Sequence, residues 1–438
     1  MDQRPGRIQK RERGPWGALL FLAVFCYYWI TITPFVDLTG AAAVDPSAGS
    51  SNALNQLISL ALFGALILFW LVHRKDAPIL EPRWLIVALL GWCLLTSLLA
   101  AHPDLALKRL FLVMVVGFNA AVMLLLPRSS RQFAMLAGLA TALVVGLCYF
   151  GVIAMPRLAI HQADELREPM NAGLWRGLFT HKNTAAAAMV LAIFFSLYVA
   201  ATWSRLLGFA TALAAFFFLT HTGGKTSLMM VPAILLLAFT VEKWRWARVP
   251  IVVGGLVLFN LVAIGAAVSE PLRNLVVSLG VDPTFTDRSD IWRFAFSAIA
   301  ERPLTGFGFQ SFWQTEELVY SGGSVETWAV TAYNGHNAYL DTVLSIGLPG
   351  LVLTLLLLVA YPLGNLNRAL AAGNDPALTR LYLRIWLYAL FTSCVESVFY
   401  QGGGAMWFSL LVAVFGLRLQ ARAHLVTAPA KAGRAAYA

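Results

Sequence analysis

The sequence is poor in charged residues and in cysteine. Only 12% of its 438 residues are charged, whereas 59% are hydrophobic. A water-soluble chain of this composition would expose large apolar patches, so an ordinary soluble globular protein is excluded and lipid is the expected solvent. The four cysteines (Cys26, Cys93, Cys148 and Cys394) fall in apolar stretches without metal-ligand spacing, so the sequence indicates neither a disulfide framework nor a zinc site.

The net charge of +10 could suggest nucleic acid as a partner. Basic clusters beside apolar runs are better explained by the orientation bias of membrane loops, and no nucleic-acid partner is expected. Arg4 to Arg13, followed by an apolar run from Ala18, resembles a signal peptide with a cleavage site at Ala41–Ala43. Because the run reaches Phe35 and further spans follow, we expect an uncleaved first helix.

Apolar runs of roughly 20 residues predict about twelve transmembrane helices. They lie near residues 16–36, 53–73, 83–101, 107–127, 132–154, 184–203, 205–221, 225–241, 249–268, 337–361, 380–398 and 403–419. The predicted fold is an all-α, polytopic, single membrane domain over residues 1–438. Its two long outer loops are residues 155–183 and 269–336, and the second is expected to contain short helices.

The distribution of Lys and Arg predicts the orientation. Most of the 32 fall in segments that lie inside if the N-terminus is cytoplasmic, so both termini are predicted to be cytoplasmic. Nearly all the others lie in the turn at residue 108 or in the two long outer loops. We therefore expect the functional residues on the extracytoplasmic side.

The first outer loop ends with a basic motif, Trp175 to Asn183. It places Arg176, His181 and Lys182 at a helix N-terminus, where free backbone N–H groups and the helix dipole also attract anions. One interpretation is therefore a phosphate site. The alternative is that the cations are interfacial anchors and Asn183 is an N-cap.

A second basic motif runs from His221 to Ser227 and contains Gly-Gly-Lys-Thr. It is not a P-loop, because that pattern requires glycine where this chain has Leu219, and because the predicted topology places it away from cytoplasmic nucleotide. A glycine-permitted turn with Lys225 remains. Lys225 is either an anion ligand or part of a structural turn.

The main outer loop carries three further motifs: Arg288-Ser-Asp-Ile-Trp292, Pro303-Leu-Thr-Gly-Phe-Gly308 and His336-Asn-Ala-Tyr-Leu340. From spacing alone, a single histidine or an Asp-Arg pair is more often structural than catalytic. A fourth motif, Arg176-Gly-x-Phe-x-His-Lys-Asn183, precedes these three in the chain. The four motifs, taken together and in this order, resemble those of the O-antigen ligase and polysaccharide polymerase superfamily. One departure is the Gly-Gly at 223–224, where many relatives have a Ser-Arg-Thr or Ser-Lys-Thr type of segment, so the role of Lys225 stays open.

The resemblance implies a glycosyltransferase on the periplasmic face of the bacterial inner membrane. Its donor would be a glycan on undecaprenyl pyrophosphate, and its acceptor either lipid A core (a ligase) or a second lipid-linked glycan (a polymerase). We expect His336 to be the base that accepts the proton of the acceptor hydroxyl and Arg288 to bind the pyrophosphate. The predicted substrate-binding residues are Arg176, His181, Lys182, Lys225 and Asn337. Inversion of the anomeric carbon is expected.

No cofactor is predicted, and no metal, because the outer loops show no Asp-x-Asp pair. Two other classes of function stay open. In a twelve-helix transporter for an anion, the charged residues would meet near the membrane midplane, on discontinuous helices. A structural scaffold of the cell envelope would not need the outer-loop cations for activity.

Overall fold

A computed structural model describes residues 15–30, 33–39, 53–73, 81–166, 168–278, 280, 288–319 and 328–422. The predicted signal-like segment from Arg4 to Arg13 and the Ala41–Ala43 site lie outside the described residues. Within them the chain is all-α, as predicted, and forms no strand beyond an isolated antiparallel bridge between Ile160 and Trp175.

The α-helices of the described residues are numbered in chain order. They are α1 (Trp16–Ile30), α2 (Ala53–His73), α3 (Arg83–Leu98), α4 (Pro103–Met123), α5 (Ser130–Ala154), α6 (Pro156–Ala159), α7 (Lys182–Thr202), α8 (Arg205–His221), α9 (Lys225–Lys243), α10 (Gly255–Val268), α11 (Glu270–Ser278), α12 (Arg288–Glu301), α13 (Glu316–Val319), α14 (Ala338–Leu355), α15 (Tyr361–Ala372), α16 (Pro376–Thr392) and α17 (Ala405–Arg422). Short 3₁₀ turns lie at Pro169–Asn171, Arg245–Ala247 and Trp328–Thr331, and π turns at Pro250–Gly254 and Leu356–Ala360.

The protein is a polytopic membrane protein. Among the described residues, eight helical stretches are long and apolar enough to cross a membrane, and α1, α3 and α8 are shorter apolar helices. Each of the twelve predicted spans overlaps a helix, and the count of twelve crossings stays a prediction. The predicted span 380–398 is too long at its C-terminal end, because α16 ends at Thr392 and Glu396 lies beyond it.

Helices α7, α16 and α17 form the centre of the bundle. Along α7 every residue from Ala185 to Ser196 is buried, as expected of a helix that is apolar on all sides. Small residues permit close packing of its neighbour α8: a Cβ on Gly208 would lie 2.4 Å from the backbone nitrogen of Ala200. In contrast, α2, α9 and α10 expose large apolar side chains such as Leu57, Met229 and Leu258, which suits contact with lipid.

Helix α14 is interrupted at Ile346 and Gly347, where the backbone leaves the helical region and Gly347 has φ +67°. The carbonyl groups at this break would be costly to leave without partners inside a membrane. They are satisfied by distant segments. Phe307 N donates to Leu344 O at 2.8 Å, Gly308 N to Ser345 O at 3.0 Å and the Trp92 indole to Ile346 O at 2.7 Å.

The Pro303–Gly308 motif is the segment that docks onto this break. A Cβ on Gly306 would lie 2.6 Å from Leu344 O, and one on Gly347 would lie 2.0 Å from Leu304 O. Only glycine permits backbones to approach this closely with positive φ. The motif therefore has a structural explanation: it joins the main outer loop to α14 at the break within that helix.

Candidate active site

A histidine, a glutamate and an arginine meet at one end of the bundle. Glu396, in the loop after α16, lies with Oε2 3.1 Å from His336 Nδ1, and its Oε1 accepts a hydrogen bond from Arg288 Nη2 at 2.7 Å. Asn183, at the start of α7, donates to the same Oε1 at 3.3 Å. Four segments that are far apart in the sequence thus converge on one carboxylate.

The carboxylate of Glu396 is ionised at neutral pH. Burial raises the pKa of Glu396, but the charge of Arg288 and the hydrogen bond and charge of His336 outweigh burial and bring this pKa down to about 2. Arg288 and Glu396 form an ion pair in which the arginine side chain is 14% exposed and the glutamate 29% exposed. This glutamate was not among the predicted site residues.

His336 is held in an unusual backbone conformation, with φ +45°. Its N–H donates to the side chain of Asn334 at 3.0 Å, and its ring is about one third exposed. A carboxylate on Nδ1 favours the tautomer with the proton on Nδ1, so Nε2 carries the lone pair. Within the described residues only Nδ1 of this ring has a hydrogen-bond partner. Nε2 is therefore available to accept a proton.

The tryptophan of the Arg288–Trp292 motif positions the arginine. Trp292 is buried one turn along α12, and its indole N–H donates to Gly335 O at 2.8 Å. Since Gly335 precedes His336, this bond fixes the start of α12 beside the histidine. The four-residue spacing of Arg and Trp therefore has a physical reason: both lie on the same face of the helix.

The segment around His336 also rests on a half-buried aspartate, Asp341, in the first turn of α14. Its Oδ1 accepts hydrogen bonds from Gly335 N at 2.9 Å and from the Trp313 indole at 2.8 Å. Ser397, next to Glu396, donates to its other oxygen. Asp341 thereby connects the two segments that carry His336 and Glu396.

Asn337 is wholly buried, and its side chain caps α14. Its amide oxygen accepts from Leu340 N at 2.9 Å, and its amide nitrogen donates to Asn260 Oδ1 and to Cys394 O, each at 2.8 Å. Both ends of the amide are thus engaged within the protein. In this structure Asn337 fixes His336 to the end of α16, and its predicted contact with substrate gains no support from the geometry.

Two histidines cap the start of α7. His181, rather than Asn183, is the N-cap: its Nδ1 accepts from Asn183 N at 3.0 Å, and its Nε2 lies 2.8 Å from Glu168 Oε2. His161 accepts from Lys182 N at 3.2 Å through Nε2 and pairs with Glu165 through Nδ1 at 2.7 Å. The first two amide groups of α7 are therefore already bonded, contrary to the free N–H groups expected from sequence.

Two carboxylates in this loop, Glu165 and Glu168, pair with the histidine rings. The hydrogen bond from His181 lowers the pKa of Glu168, and its own burial opposes that effect. Burial lowers the pKa of His161, against the opposing effect of Glu165. Both rings use both nitrogens, so His181 contributes structure here, and its predicted contact with substrate stays a prediction.

Arg176 is also structural in this conformation. Its side chain is fully buried, and its guanidinium donates to Val36 O at 2.7 Å and to Phe179 O at 3.2 Å. These bonds hold the first outer loop against the segment that follows α1. Direct contact of Arg176 with a ligand, as predicted from the sequence, gains no support from this burial.

Lys182 lies near Lys225 and Arg288. The charge of Lys182 interacts with those of Glu168, Lys225 and Arg288. Glycines bring Lys225 to this place: Gly223 has φ +65°, and a Cβ on Gly224 would lie 2.6 Å from Ala186 in α7. Neither ammonium group has an ion pair within 4.0 Å among the described residues. The structure thus places three cations around the start of α7.

Comparison with known proteins gives matches over the same region. A family model described as O-antigen ligase matches residues 208–355. The exopolysaccharide production protein ExoQ of Rhizobium meliloti is 26% identical over 218 residues, which are 46% of this chain and 48% of ExoQ. The chain thus spans about half the length of that relative.

A Rickettsia conorii protein named "Putative polysaccharide ligase RC0486" is 22% identical over 326 residues, covering 67% of this chain and 71% of that protein. A Rickettsia felis protein named "Putative polysaccharide ligase" is 24% identical over 139 residues, which are 31% of this chain and 33% of that protein. The predicted resemblance to the O-antigen ligase and polysaccharide polymerase superfamily is therefore confirmed, over a family-model segment that includes Lys225, Arg288 and His336.

Proposed function

We propose that this protein is a membrane glycosyltransferase that moves a glycan from undecaprenyl pyrophosphate to an acceptor sugar hydroxyl at the periplasmic face of the bacterial inner membrane. The observation that carries the proposal is the convergence of His336 and Arg288 on Glu396, beside two further cations. A base next to a cluster of cations suits a reaction in which a hydroxyl attacks and a pyrophosphate departs. Both chain termini are then cytoplasmic.

In the proposed mechanism His336 acts as the base. Its Nε2 takes the proton of the acceptor hydroxyl as that oxygen bonds to the anomeric carbon. The imidazolium that forms keeps its Nδ1–H on Glu396, whose negative charge stabilises it. A positioned base of this kind contributes a rate gain of roughly 10²- to 10⁴-fold.

The bond between the anomeric carbon and the pyrophosphate oxygen breaks in the same step, and undecaprenyl pyrophosphate leaves with the bonding electrons. Attack from the opposite face inverts the anomeric carbon. Arg288 uses Nη2 for Glu396, and within the described residues Nη1 and Nε have no hydrogen-bond partner, so they can donate to phosphate oxygens. Lys182 and Lys225 supply further positive charge around the leaving group.

The other predicted residues support this site indirectly. Arg176 holds the first outer loop against the segment that follows α1, and His181 caps the start of α7. Asn337 holds the start of α14 on the end of α16. In the proposal these three are positioning residues. Their loss would displace Lys182 or His336 rather than remove a contact with the donor.

The position of the charges favours a transferase over a transporter. Lys182, Lys225 and Arg288 are the first residues of α7, α9 and α12, so they lie at helix ends and not at mid-depth. The discontinuity in α14 is the kind of feature that transporters use for binding. Here the carbonyl groups of Leu344, Ser345 and Ile346 already accept hydrogen bonds from the main outer loop and from Trp92, so they join segments of the fold to each other.

The test is transfer of a labelled, lipid-linked glycan by the purified protein in lipid nanodiscs. Two acceptors are compared, lipid A core for a ligase and a second lipid-linked glycan for a polymerase. Wild-type protein should transfer to one of them. The His336→Gln variant should lose transfer by at least about 10²-fold while its affinity for the donor stays within a factor of about two, since the base is removed and the cations remain.

His221→Gln is the matched control. His221 is another outer histidine, at the end of α8, where its ring stacks on Trp175 4.3 Å away. This variant should keep near-normal transfer. Full activity of His336→Gln, or an equal loss in both variants, would remove His336 as the base. Uptake of the labelled glycan into sealed proteoliposomes without transfer would favour the transporter.

A further inference from the structure

A cationic cavity lies at the other end of the bundle from the candidate active site. It has a volume of about 460 Å³ and lies between the end of α9 and the start of α16. Its lining includes Leu235, Phe239, Glu242, Lys243, Arg380 and Arg384. Lys225, at the other end of α9, belongs to the candidate active site, and the helix between Lys225 and Lys243 is about 27 Å long. The two sites are therefore on opposite sides of the membrane.

The charges of this cavity are unbalanced. Three cations and one carboxylate line it, and the carboxylate is already used: Arg380 Nε donates to both oxygens of Glu242 at 2.8 Å. Arg384 lies one turn deeper in α16 and is half-buried. It forms no hydrogen bond or ion pair within 4.0 Å with any residue of the described part. A bound anion would stabilise a half-buried arginine that has no such partner.

The residues of the cavity also suit a position at the boundary between lipid and water. Its lining combines the apolar side chains Leu235 and Phe239 with three cationic ones. Lys243 is held over the rings of Phe239 at 5.5 Å and Trp244 at 5.2 Å. Trp246, beside it, is 75% exposed, as is usual for tryptophans at the level of lipid headgroups.

We propose that this cavity binds the phosphate of an anionic membrane phospholipid, with Arg384 and Lys243 as its ligands. The phosphate lies between the two cations, and the glycerol and the first acyl carbons lie along Leu235 and Phe239. Basic pockets between transmembrane helices are suited to anionic headgroups, whereas a zwitterionic headgroup brings its own cation into the site. This site is independent of glycan transfer.

The test uses purified, delipidated protein and native mass spectrometry. Phosphatidylglycerol should be retained in preference to phosphatidylcholine. The double variant Lys243→Gln, Arg384→Gln should bind phosphatidylglycerol about 25-fold more weakly, at roughly fivefold for each cation. Arg245→Gln is the control, because Arg245 is exposed at the same end but does not line the cavity; it should bind as wild type does.

Thermal unfolding distinguishes binding of a phospholipid from binding of free inorganic phosphate. Phosphatidylglycerol nanodiscs should raise the unfolding temperature of the wild type more than phosphatidylcholine nanodiscs do, and inorganic phosphate at millimolar concentration should not. An equal rise with inorganic phosphate would assign the site to a soluble anion and overturn the lipid. Equal retention of both lipids by the wild type would also overturn it, even if the double variant does not fold.

Discussion

His336 Nδ1 lies 3.1 Å from Glu396 Oε2, although sixty residues separate them in the sequence. The contact joins the start of α14 to the loop after α16. It gives the histidine a fixed tautomer and gives the glutamate a hydrogen-bond partner in addition to Arg288. The candidate base and the candidate pyrophosphate ligand therefore share one carboxylate, and changing that carboxylate should affect both.

The first prediction concerns catalysis in Glu396→Gln. The amide keeps the shape of the side chain but cannot stabilise an imidazolium or pair with Arg288. We expect the maximal rate of transfer to fall by about 10²-fold or more, with a smaller change in donor affinity. Rates are measured in nanodiscs over a range of donor concentrations. A variant with an unchanged maximal rate would show that the carboxylate is only structural.

The second prediction concerns the stability of the same variant as a function of pH. The pKa of Glu396 is lowered in the folded protein to about 2 from an ordinary value of 4.5. The ionised carboxylate therefore contributes its full stabilisation above about pH 4.5, and this contribution is lost as the pH falls toward 2. The unfolding temperature of the wild type should exceed that of Glu396→Gln at pH 6, and the gap should narrow below pH 4.5. A gap that does not change between pH 6 and pH 3 would contradict the assignment.

The sequence predicts those residues of this site that lie in short, recognisable motifs. His336, Arg288, Lys182 and Lys225 were predicted on the outer side, and the structure brings them together. The prediction missed Glu396, because the apolar run around it was interpreted as a helix up to residue 398. A carboxylate inside a predicted span is costly in lipid, and that cost was the available signal.

The roles of Arg176 and Asn337 could not be predicted from the sequence, because they depend on burial. Both residue types bind phosphate or sugar when exposed and cap backbone groups when buried. Arg176 bonds to Val36 O, 140 residues away, and Asn337 to Cys394 O, 57 residues away. Contacts at such sequence separations leave no local pattern. The interruption of α14 was missed for the same reason, since its partners lie in another loop.

The third prediction is that Arg288→Lys is severely impaired. Lysine keeps the charge but loses the planar group that can hold Glu396 with one nitrogen and phosphate oxygens with the others. We expect transfer to fall by about 10- to 100-fold. Arg293→Lys is the control, since Arg293 lies on the same helix, paired with Asp290 at 2.8 Å, and should tolerate the change. Should Arg288→Lys match the wild type while Arg288→Ala does not, charge alone would suffice.

The fourth prediction concerns the break in α14. Gly347→Ala places a Cβ 2.0 Å from Leu304 O at a positive φ, so either the loop or the helix must shift. We expect a loss of stability of about 3 kcal/mol or more, together with loss of transfer. Gly364→Ala is the control, because a Cβ at Gly364 meets nothing within 4 Å. Thermal unfolding of both variants is measured, and equal unfolding temperatures would show that the docked loop adapts at little cost.

The last prediction is that transfer proceeds without nucleotide and in the presence of a strong chelator. A divalent metal is a common counter-charge for pyrophosphate and requires carboxylates that are free to bind it. Glu396 is paired with Arg288 and His336, Glu168 with His181 and Glu165 with His161, whereas Lys182 and Lys225 have no ion pair among the described residues. The cations are thus placed to supply the counter-charge themselves. Transfer is measured with chelator-treated protein and again after magnesium or manganese is added in steps; activity that disappears with chelator and returns with metal would show that these carboxylates bind a metal during the reaction.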